Sequence, residues 1–408
     1  MKKDMEEKEV KKIHYNTKWN ILFVILSVLL IAGLVYMMYN YLQEEQQTQA
    51  HWEEVKLQVD AERKIEEQEA IEAAQKAAEE EAIRRAELEK EDSFYQKLKD
   101  GFDVDILVVG DTIATAYGAT KPEYSWVRTI ELYLEQVYQI EVNITNLALA
   151  DSSAYAGYAN LMMLNDEIEY DLALICYGEK DSAESIDVFY EPIIRAVRDG
   201  YPKCSMIAML EATSAGYIEK AQRIQTIAEH YDIPVVDAIE GFSSGEYAEF
   251  DELTDDGIHP NDTGHQLYAY LLSEVIDAEV KAYTGYDSSE VEPLSDMAKY
   301  FETFAWYSVD NFTRDGETYI YTMTGFELED VLLGIDFGFV AGDNSCEITV
   351  DGESLGSIEK TFAEGEEEHQ IMPVGILEAV RSELVIKFAT PEQADAFRGI
   401  YFNQEYIE

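Results

Sequence analysis

The chain has 408 residues and a formal net charge of −53 at pH 7. This length allows two domains plus additional segments. The negative charge argues against nucleic acid as a partner, because the phosphate backbone would be repelled, and it disfavours contact with anionic lipid headgroups outside a membrane anchor.

The residue types that bind metals give no sign of a metal site or a cofactor. The three cysteines, Cys176, Cys204 and Cys346, are an odd number without a cluster, which supports neither a disulfide framework nor a zinc site. Cys176 and Cys204 lie in or beside apolar segments and are expected to be buried thiols. The histidines are too scattered for a metal cage, so we predict neither a metal nor a cofactor.

An uncharged apolar segment at residues 20–41 predicts a single transmembrane helix with aromatic residues at both ends. Six lysines precede this segment, and no Lys or Arg follows it before Lys56. The positive-inside rule therefore predicts that residues 1–19 are cytoplasmic and that the rest of the chain lies outside the membrane. The segment is long and lacks a small-residue cleavage site, which favours an uncleaved signal anchor.

A charged stalk is predicted at residues 42–100. The segment 43–98 is rich in Glu, Ala, Gln, Lys and Arg and has neither Gly nor Pro, which favours helix. Many oppositely charged residues are four positions apart, Glu80 and Arg84 among them. The apolar positions keep no strict heptad, so a solvated single helix is the main interpretation, and a coiled coil remains an alternative.

An α/β domain is predicted at residues 101–282, where apolar strands alternate with amphipathic helices. This alternation indicates right-handed crossovers and a parallel sheet that is covered by helices on both faces. The expected strands are 104–109, 140–146, 171–177, 205–210 and 233–236, and the expected helices are 124–138, 152–165, 183–199, 215–230 and 262–280.

Two short motifs of this domain suggest a catalytic site. The first strand ends on Gly110-Asp111-Thr112, which places a hydroxyl at the carboxyl end of a strand, where open α/β sheets carry their chemistry. Asp256 precedes His259 by three residues, so one loop can present both side chains. The carboxylate can then hold the imidazole in the tautomer that a general base requires. An N-cap role for Thr112 and a purely structural role for His259 are the alternatives.

These motifs resemble the sequence blocks of the SGNH/GDSL hydrolase family. Gly110-Asp111-Thr112 stands where the family has Gly-Asp-Ser, and Asp256 and His259 match its Asp-x-x-His block. The resemblance implies a flavodoxin-like three-layer sandwich and acyl transfer, with Thr112 as nucleophile, His259 as base and Asp256 as the residue that orients it. No cofactor is implied.

The two oxyanion-hole positions of the family are altered in this chain. Asp151 stands where the family has a Gly that donates its backbone N–H, although a one-residue shift would place Ala150 there. In Gly178-Glu179-Lys180-Asp181, Lys180 replaces the Asn that donates from its side chain. Both positions point into one small hole in the family, so we expect Asp151 and Lys180 to form an ion pair that fills or closes the site.

A linker is predicted at residues 283–299 and an antiparallel β-sandwich at residues 300–408. Asp351-Gly352 follows an apolar segment and predicts a hairpin turn. Aromatic residues of this region are typical of a sandwich core, and they could also form a face on which a sugar stacks. The expected strands are 316–322, 331–339, 345–350, 382–389 and 399–403, and the aromatic residues are Trp306, Tyr307, Tyr319, Tyr321, Phe337 and Phe339.

Three functions are compatible with these features. The first is an extracytoplasmic esterase that hydrolyses or transfers small acyl groups, such as O-acetyl, on envelope or extracellular glycan. The second is a non-catalytic relative that binds glycan or a partner through the altered cleft or the β-sandwich. The third is a structural tether between the membrane and the cell wall.

Overall fold

The computed structural model describes residues 22–39, 93–285, 290–322, 328–338, 340–362 and 369–404. The chain divides into two compact units, Met1–Glu89 and Lys90–Glu408. In the first unit, helix α1 (Leu22–Tyr39) has a mean hydropathy of 2.5. Its length and composition fit a membrane span and equally a signal sequence. The predicted stalk lies outside the described residues as far as residue 92.

The second unit begins with a short buried helix. Helix α2 (Phe94–Asp100) starts at Ser93, whose hydroxyl accepts the N–H of Gln96, and it ends at Gly101 in the left-handed conformation. Phe94 and Leu98 are fully buried in the core of the α/β domain. From the sequence, these residues were predicted to belong to the solvated stalk. This was wrong for α2, because its apolar side chains pack on the domain.

The predicted parallel sheet is confirmed. Five strands pair in parallel in the order β2-β1-β3-β4-β5, and the three central strands are almost entirely buried, as expected for a sheet covered on both faces. The carboxyl ends of β1 and β3 are adjacent, because Gly110 pairs with Cys176. The strands are β1 (Val104–Gly110), β2 (Val142–Asn146), β3 (Leu172–Cys176), β4 (Ser205–Leu210) and β5 (Val235–Asp237).

Helices cover both faces of the sheet and give the three-layer sandwich that the resemblance implies. Leu107 and Val109 of β1 face a core formed with α4, α5 and α6. Ile106 and Val108 face the opposite core, formed with α2, α3 and α9. The helices are α3 (Trp126–Tyr138), α4 (Ala154–Met163), α5 (Ala183–Gly200), α6 (Glu219–His230), α7 (Ala238–Ser243), α8 (Phe250–Leu253) and α9 (Asp262–Ala282).

The C-terminal region is an antiparallel, sandwich-like pair of sheets, as predicted. One sheet has the order β11-β10-β13-β8-β7 and the other has β12-β9-β14-β6. The hairpin at Asp351-Gly352 is confirmed, since it joins β10 to β11. The elements are β6 (Thr303–Ser308), β7 (Thr313–Asp315), β8 (Thr318–Thr322), β9 (Leu328–Phe337), β10 (Gly342–Val350), β11 (Glu353–Phe362), β12 (Gln370–Val380), β13 (Glu383–Phe388), α10 (Pro391–Asp395) and β14 (Phe397–Gln404).

The aromatic residues of the sandwich are used mainly for packing. Tyr319, Tyr321 and Phe337 are buried between the two sheets, and the half-buried Tyr307 packs against the same core. Trp306 packs on Tyr401, with ring centroids 4.5 Å apart. Trp306 and Tyr307 are only half-buried, so a sugar-stacking face stays a prediction for these two residues. Phe339 lies outside the described residues.

The sandwich packs directly on the α/β domain. Tyr155 of α4 is fully buried and its hydroxyl donates to Asn403 of β14 over 3.1 Å. Gly334 of β9 is required for this approach, because a Cβ there would lie 2.0 Å from the Tyr155 hydroxyl. The predicted linker is also anchored in part, since the buried Glu191 carboxylate accepts the N–H groups of Leu294 and Ser295.

Candidate active site

The loop after β1 is fixed by close backbone packing. Gly110 allows this packing, because a Cβ there would lie 2.4 Å from the Ala114 Cβ and 2.8 Å from the Cys176 carbonyl oxygen. Asp111 is fully buried and accepts the N–H groups of Ile113, Gly178 and Glu179 over 3.2–3.3 Å. Its carboxylate therefore ties the loop after β1 to the loop after β3, and burial raises the pKa of this carboxyl above its usual range.

Thr112 begins a short 3₁₀ turn, Thr112–Thr115, and is 6% exposed. Its Oγ1 accepts the backbone N–H of Asp151 over 3.0 Å. In the family that this chain resembles, the backbone N–H at this position stabilises an oxyanion. Here the donor is already used by the side chain that stands in the nucleophile position.

Asp256 and His259 form a well-oriented pair in the loop before α9. One carboxylate oxygen of Asp256 accepts the backbone N–H of Ile258 at 2.9 Å and that of His259 at 2.8 Å. The other oxygen lies 2.6 Å from His259 Nδ1. Because Nδ1 is held by the carboxylate, Nε2 is the ring nitrogen that faces the site.

Glu179 occupies the space in front of His259. Its Oε2 lies 3.3 Å from His259 Nε2, and its Oε1 lies 2.8 Å from Lys180 Nζ. A hydrogen bond with Thr112 also reaches this carboxylate. No role was predicted for Glu179 from the sequence, so this contact was missed. One signal was present in the sequence. Glu179 places a carboxylate next to Lys180, in a block where the family has a neutral donor.

The ion pair that was expected between Asp151 and Lys180 is present. Lys180 Nζ lies 2.7 Å from Asp151 Oδ1. Asp151 has a φ of 57°, a left-handed conformation that a Gly adopts without strain. The shape of the backbone at this position thus still suits the residue that the family has there.

These contacts join the five predicted site residues into one cluster. Asp256 binds His259, which binds Glu179, and Glu179 binds Lys180. Lys180 binds Asp151, whose N–H reaches Thr112. The spatial association of the predicted residues is therefore present, whereas their catalytic roles remain predictions.

The cluster favours the charged forms of its members. The contact with Glu179 is the main cause that raises the pKa of His259 to about 9; burial opposes it and Asp256 reinforces it. Burial acts to raise the pKa of Glu179, but hydrogen bonds from His259, Lys180 and Thr112 outweigh burial and lower this pKa to about 2. His259 is consequently an imidazolium at pH 7 and cannot accept a proton there.

The β-sandwich contributes directly to this site. Lys360 of β11 places its Nζ 2.7 Å from Asp151 Oδ2 and 3.2 Å from the Asp151 carbonyl oxygen. Gln370 of β12 donates to the carbonyl oxygen of Ala150 over 3.0 Å. The backbone that presents the Asp151 N–H to Thr112 is thus held from the second domain.

We expect Lys360→Met to lower the free energy of unfolding by about 1 kcal/mol, because it removes a half-buried ion pair and a hydrogen bond to a backbone carbonyl. Amide hydrogen exchange in residues 147–153 should accelerate. Lys299→Met is the matched control, since Lys299 pairs with Asp330 at 3.2 Å on an exposed surface, and it should leave both measurements nearly unchanged. Equal effects of the two substitutions would contradict a positioning role for Lys360.

A cavity of about 350 Å³ adjoins the cluster. Glu179, Lys180 and Ile258 contribute to its wall, and most of the remaining lining is apolar. Lys220 of α6 also lines it and donates to the carbonyl oxygens of Gly178 and Glu179, which fixes the loop that carries Glu179. Among the described residues, no group of His, Cys, Asp or Glu side chains is arranged to hold a metal ion.

Comparison with known proteins agrees with this architecture. Residues 108–267 match the model of the GDSL-like lipase/acylhydrolase family. The crystal structure of a two-domain esterase (CEX) active on acetylated mannans is similar with a TM-score of 0.62 and 18% identity, over 77% of this chain and 94% of that chain. The same esterase co-crystallised with mannopentaose gives a TM-score of 0.60 at 18% identity, again over 77% and 94% of the two chains.

An acetylxylan esterase, Axe2 from Geobacillus stearothermophilus, is 16% identical and covers 42% of this chain and 94% of its own, with a TM-score of 0.36. A search of curated proteins finds no match. The fold and the matched segment define a three-layer α/β domain of the flavodoxin-like SGNH/GDSL type. More specifically, residues 108–267 form a GDSL-like lipase/acylhydrolase domain by their match to that family model.

Proposed function

We propose that this protein binds acylated carbohydrate in its altered GDSL-type cleft and does not hydrolyse the ester. The observation that carries the proposal is the position of Glu179, whose carboxylate contacts His259 Nε2 at 3.3 Å and Lys180 Nζ at 2.8 Å. Both groups that would act on an ester are engaged by this one carboxylate.

Two requirements of acyl transfer are unmet in this arrangement. A general base must be neutral and near the nucleophile, but His259 is protonated at pH 7 and faces Glu179. The oxyanion needs free donors, but the Asp151 N–H is used by Thr112 and Lys180 is paired with two carboxylates. Since the loss of one such donor costs on the order of 10²–10³ in rate, the combined loss is nearly disabling.

The choice of acylated carbohydrate as ligand has two supports. The solved esterase whose two domains resemble this chain is described as active on acetylated mannans. In addition, Asp256 and Lys180 are 48% and 41% exposed at the site, so that they offer an acceptor and a donor to sugar hydroxyls. An acyl group on the sugar would enter the adjoining cavity of about 350 Å³.

A slow esterase is the second candidate, and the Asp256–His259 contact of 2.6 Å favours it. A substrate that displaced Glu179 would free His259 to lose its proton and then to accept the Thr112 hydroxyl proton. Thr112 Oγ1 would attack the acyl carbon, and His259 would protonate the departing alcohol. Water would then release the acid from Thr112.

We further propose that α1 anchors the protein in a membrane, with residues 1–19 in the cytoplasm and the α/β domain and sandwich outside. The apolar composition of α1 and the lysines that precede it support this topology. The ligand would then be a polymer of the cell envelope or of the surroundings.

The test uses the full chain in detergent, with acetylated mannan, acetylated xylan and their chemically deacetylated forms. We expect retention on an acetylated polymer and acetate release no faster than that of Thr112→Ala. Acetate release well above both Thr112→Ala and His259→Ala would establish the second candidate instead. Failure to bind any of the polymers would refute carbohydrate binding.

A further inference from the structure

An exposed aromatic ring stands beside the catalytic-type histidine. Tyr117 lies a few residues after Thr112 and is 56% exposed. Its ring centroid is 4.6 Å from that of His259, with the ring planes at 62°. The contact is edge to face, so that the two rings are neighbours without a parallel stack.

A buried histidine holds the backbone of this tyrosine. His265 of α9 is 0% exposed, and its Nε2 lies 3.0 Å from the Tyr117 carbonyl oxygen. Its Nδ1 accepts the backbone N–H of Trp126 over 3.4 Å. Burial lowers the pKa of His265, so the ring is neutral and its Nε2–H donates to Tyr117.

The residues that follow Tyr117 are fixed to the same region. Gly118 has a φ of 90°, and a Cβ at this position would lie 2.3 Å from the Pro260 carbonyl oxygen. Thr120 donates its backbone N–H to Asp262 over 2.7 Å and its hydroxyl over 2.6 Å. The loop from Tyr117 to Thr120 is therefore held against the loop that carries His259 and the first turn of α9.

An apolar ring exposed on a fixed loop is suited to binding, because little conformational entropy remains to be lost. By contrast, the exposed Tyr247 and Tyr270 pack on each other, with ring centroids 5.2 Å apart, and they are not among the contacts of the site. Tyr117 differs because it adjoins a charged cluster that can bind polar groups.

We propose that Tyr117 is the platform on which a pyranose ring of the glycan stacks. The C–H face of a pyranose is apolar and its edges carry hydroxyls, so this ligand suits an aromatic face next to charged groups. Asp256, whose carboxylate contacts His259 Nδ1, is 48% exposed and can accept hydrogen bonds from sugar hydroxyls. This inference rests on the proposed carbohydrate binding and specifies where the sugar lies.

The test compares Tyr117→Ala, Tyr117→Phe and Tyr117→Trp in the full chain, with acetylated mannan and acetylated xylan as probes in affinity electrophoresis. Tyr117→Ala should weaken binding about tenfold, while Phe and Trp should retain it. Tyr247→Ala is the control, because it removes an exposed tyrosine away from the cluster and should bind like the wild type. Thermal unfolding of each variant should match that of the wild type, which separates stacking from a structural role.

Two results would overturn the inference, and they are distinguishable. If the wild type binds a polymer and Tyr117→Ala binds it equally well, Tyr117 is not the platform, although carbohydrate binding stands. If the wild type binds neither polymer, carbohydrate binding fails and the platform fails with it. A loss of binding in Tyr117→Phe as large as in Tyr117→Ala would assign the effect to the hydroxyl and would likewise overturn stacking.

Discussion

Glu179→Gln should lower the pKa of His259 from about 9 toward the ordinary histidine value of about 6.5. The contact with the Glu179 carboxylate is the largest cause of the increase, and a neutral amide of the same shape cannot stabilise an imidazolium by charge. The pKa is measured by NMR titration of histidine ring protons, with the signal of His259 assigned from its absence in His259→Ala.

The matched control for this substitution is Glu219→Gln. Glu219 pairs with Arg223 at 3.0 Å on an exposed helix surface, so the same chemical change is made where His259 is not a partner. Its titration should equal that of the wild type. If the pKa of His259 stays near 9 in Glu179→Gln, the carboxylate does not control the histidine, and the closed state of the site loses its main support.

The same substitution should change how stability depends on pH. The folded-state pKa of His259 is raised, so its contribution to stability is fully present below about pH 6.5 and is lost as the pH rises through about 9. Between these values the wild type should lose more stability than Glu179→Gln, as measured by thermal unfolding. Any residual esterase activity of the wild type should increase over the same interval, because His259 becomes neutral.

In the sandwich the sequence predicted only the interior strands, whereas in the parallel sheet it also predicted the edge strands β2 and β5. In the three central strands of the parallel sheet, burial on both faces gives continuous apolar segments such as Leu107–Val109, and the alternation with helices indicated the two edge strands. In the sandwich, β8, β9, β10, β13 and β14 were located, and each has a neighbour on both sides. An interior position in a sheet imposes an apolar pattern on a strand, and this pattern can be recognised from the sequence.

The four sandwich strands that had no predicted range are the edge strands β6, β7, β11 and β12. An edge strand is half solvated, so its side chains need not alternate cleanly. Strand β11 is mostly exposed, and β12 carries Pro373 next to a bulge in its pairing with β9. The turn at Asp351-Gly352 indicated β11 indirectly, whereas nothing local indicated β12.

The site shows the same division between local and distant information. The Asp256–His259 pair was predictable, because a spacing of three residues within one loop determines its geometry. Glu179 contacts His259 across 80 positions, and Lys360 contacts Asp151 across 209. Neither contact follows from spacing, because each depends on how separate loops and the second domain pack.

The charges of the cluster alternate along its contacts, and this alternation stabilises the cluster. From Asp256 through His259, Glu179 and Lys180 to Asp151, each member is next to an opposite charge, and Lys360 completes the series. A single buried charge in such a site would be costly, but this series satisfies each member. A change at one position therefore affects the charges of the whole site. Activity could be restored only by changing several of these positions together.

Restoring the family residues by Thr112→Ser, Asp151→Gly and Lys180→Asn should be insufficient by itself. Glu179 would keep its contact with His259, so the base would stay protonated and its Nε2 would stay engaged by the Glu179 carboxylate. We expect the triple variant to hydrolyse 4-nitrophenyl acetate no more than slightly faster than the wild type. The backbone should tolerate Gly at position 151, because φ there is already 57°.

Adding Glu179→Ala to the triple variant should raise the rate at least about 10²-fold above the wild type. Gly at position 151 and Asn at position 180 then supply two oxyanion donors, each worth on the order of 10²–10³, while His259 is neutral and unobstructed. Lys360 loses the Asp151 carboxylate but retains the carbonyl oxygen at position 151, and Gln370 still holds Ala150.

The same four substitutions combined with His259→Ala form the control, in which the gain in rate should be abolished. If the wild type hydrolyses the ester as fast as the quadruple variant, our proposal is contradicted. If the quadruple variant folds but hydrolyses the ester no faster than the wild type, this cleft cannot assemble an acyl-transfer site.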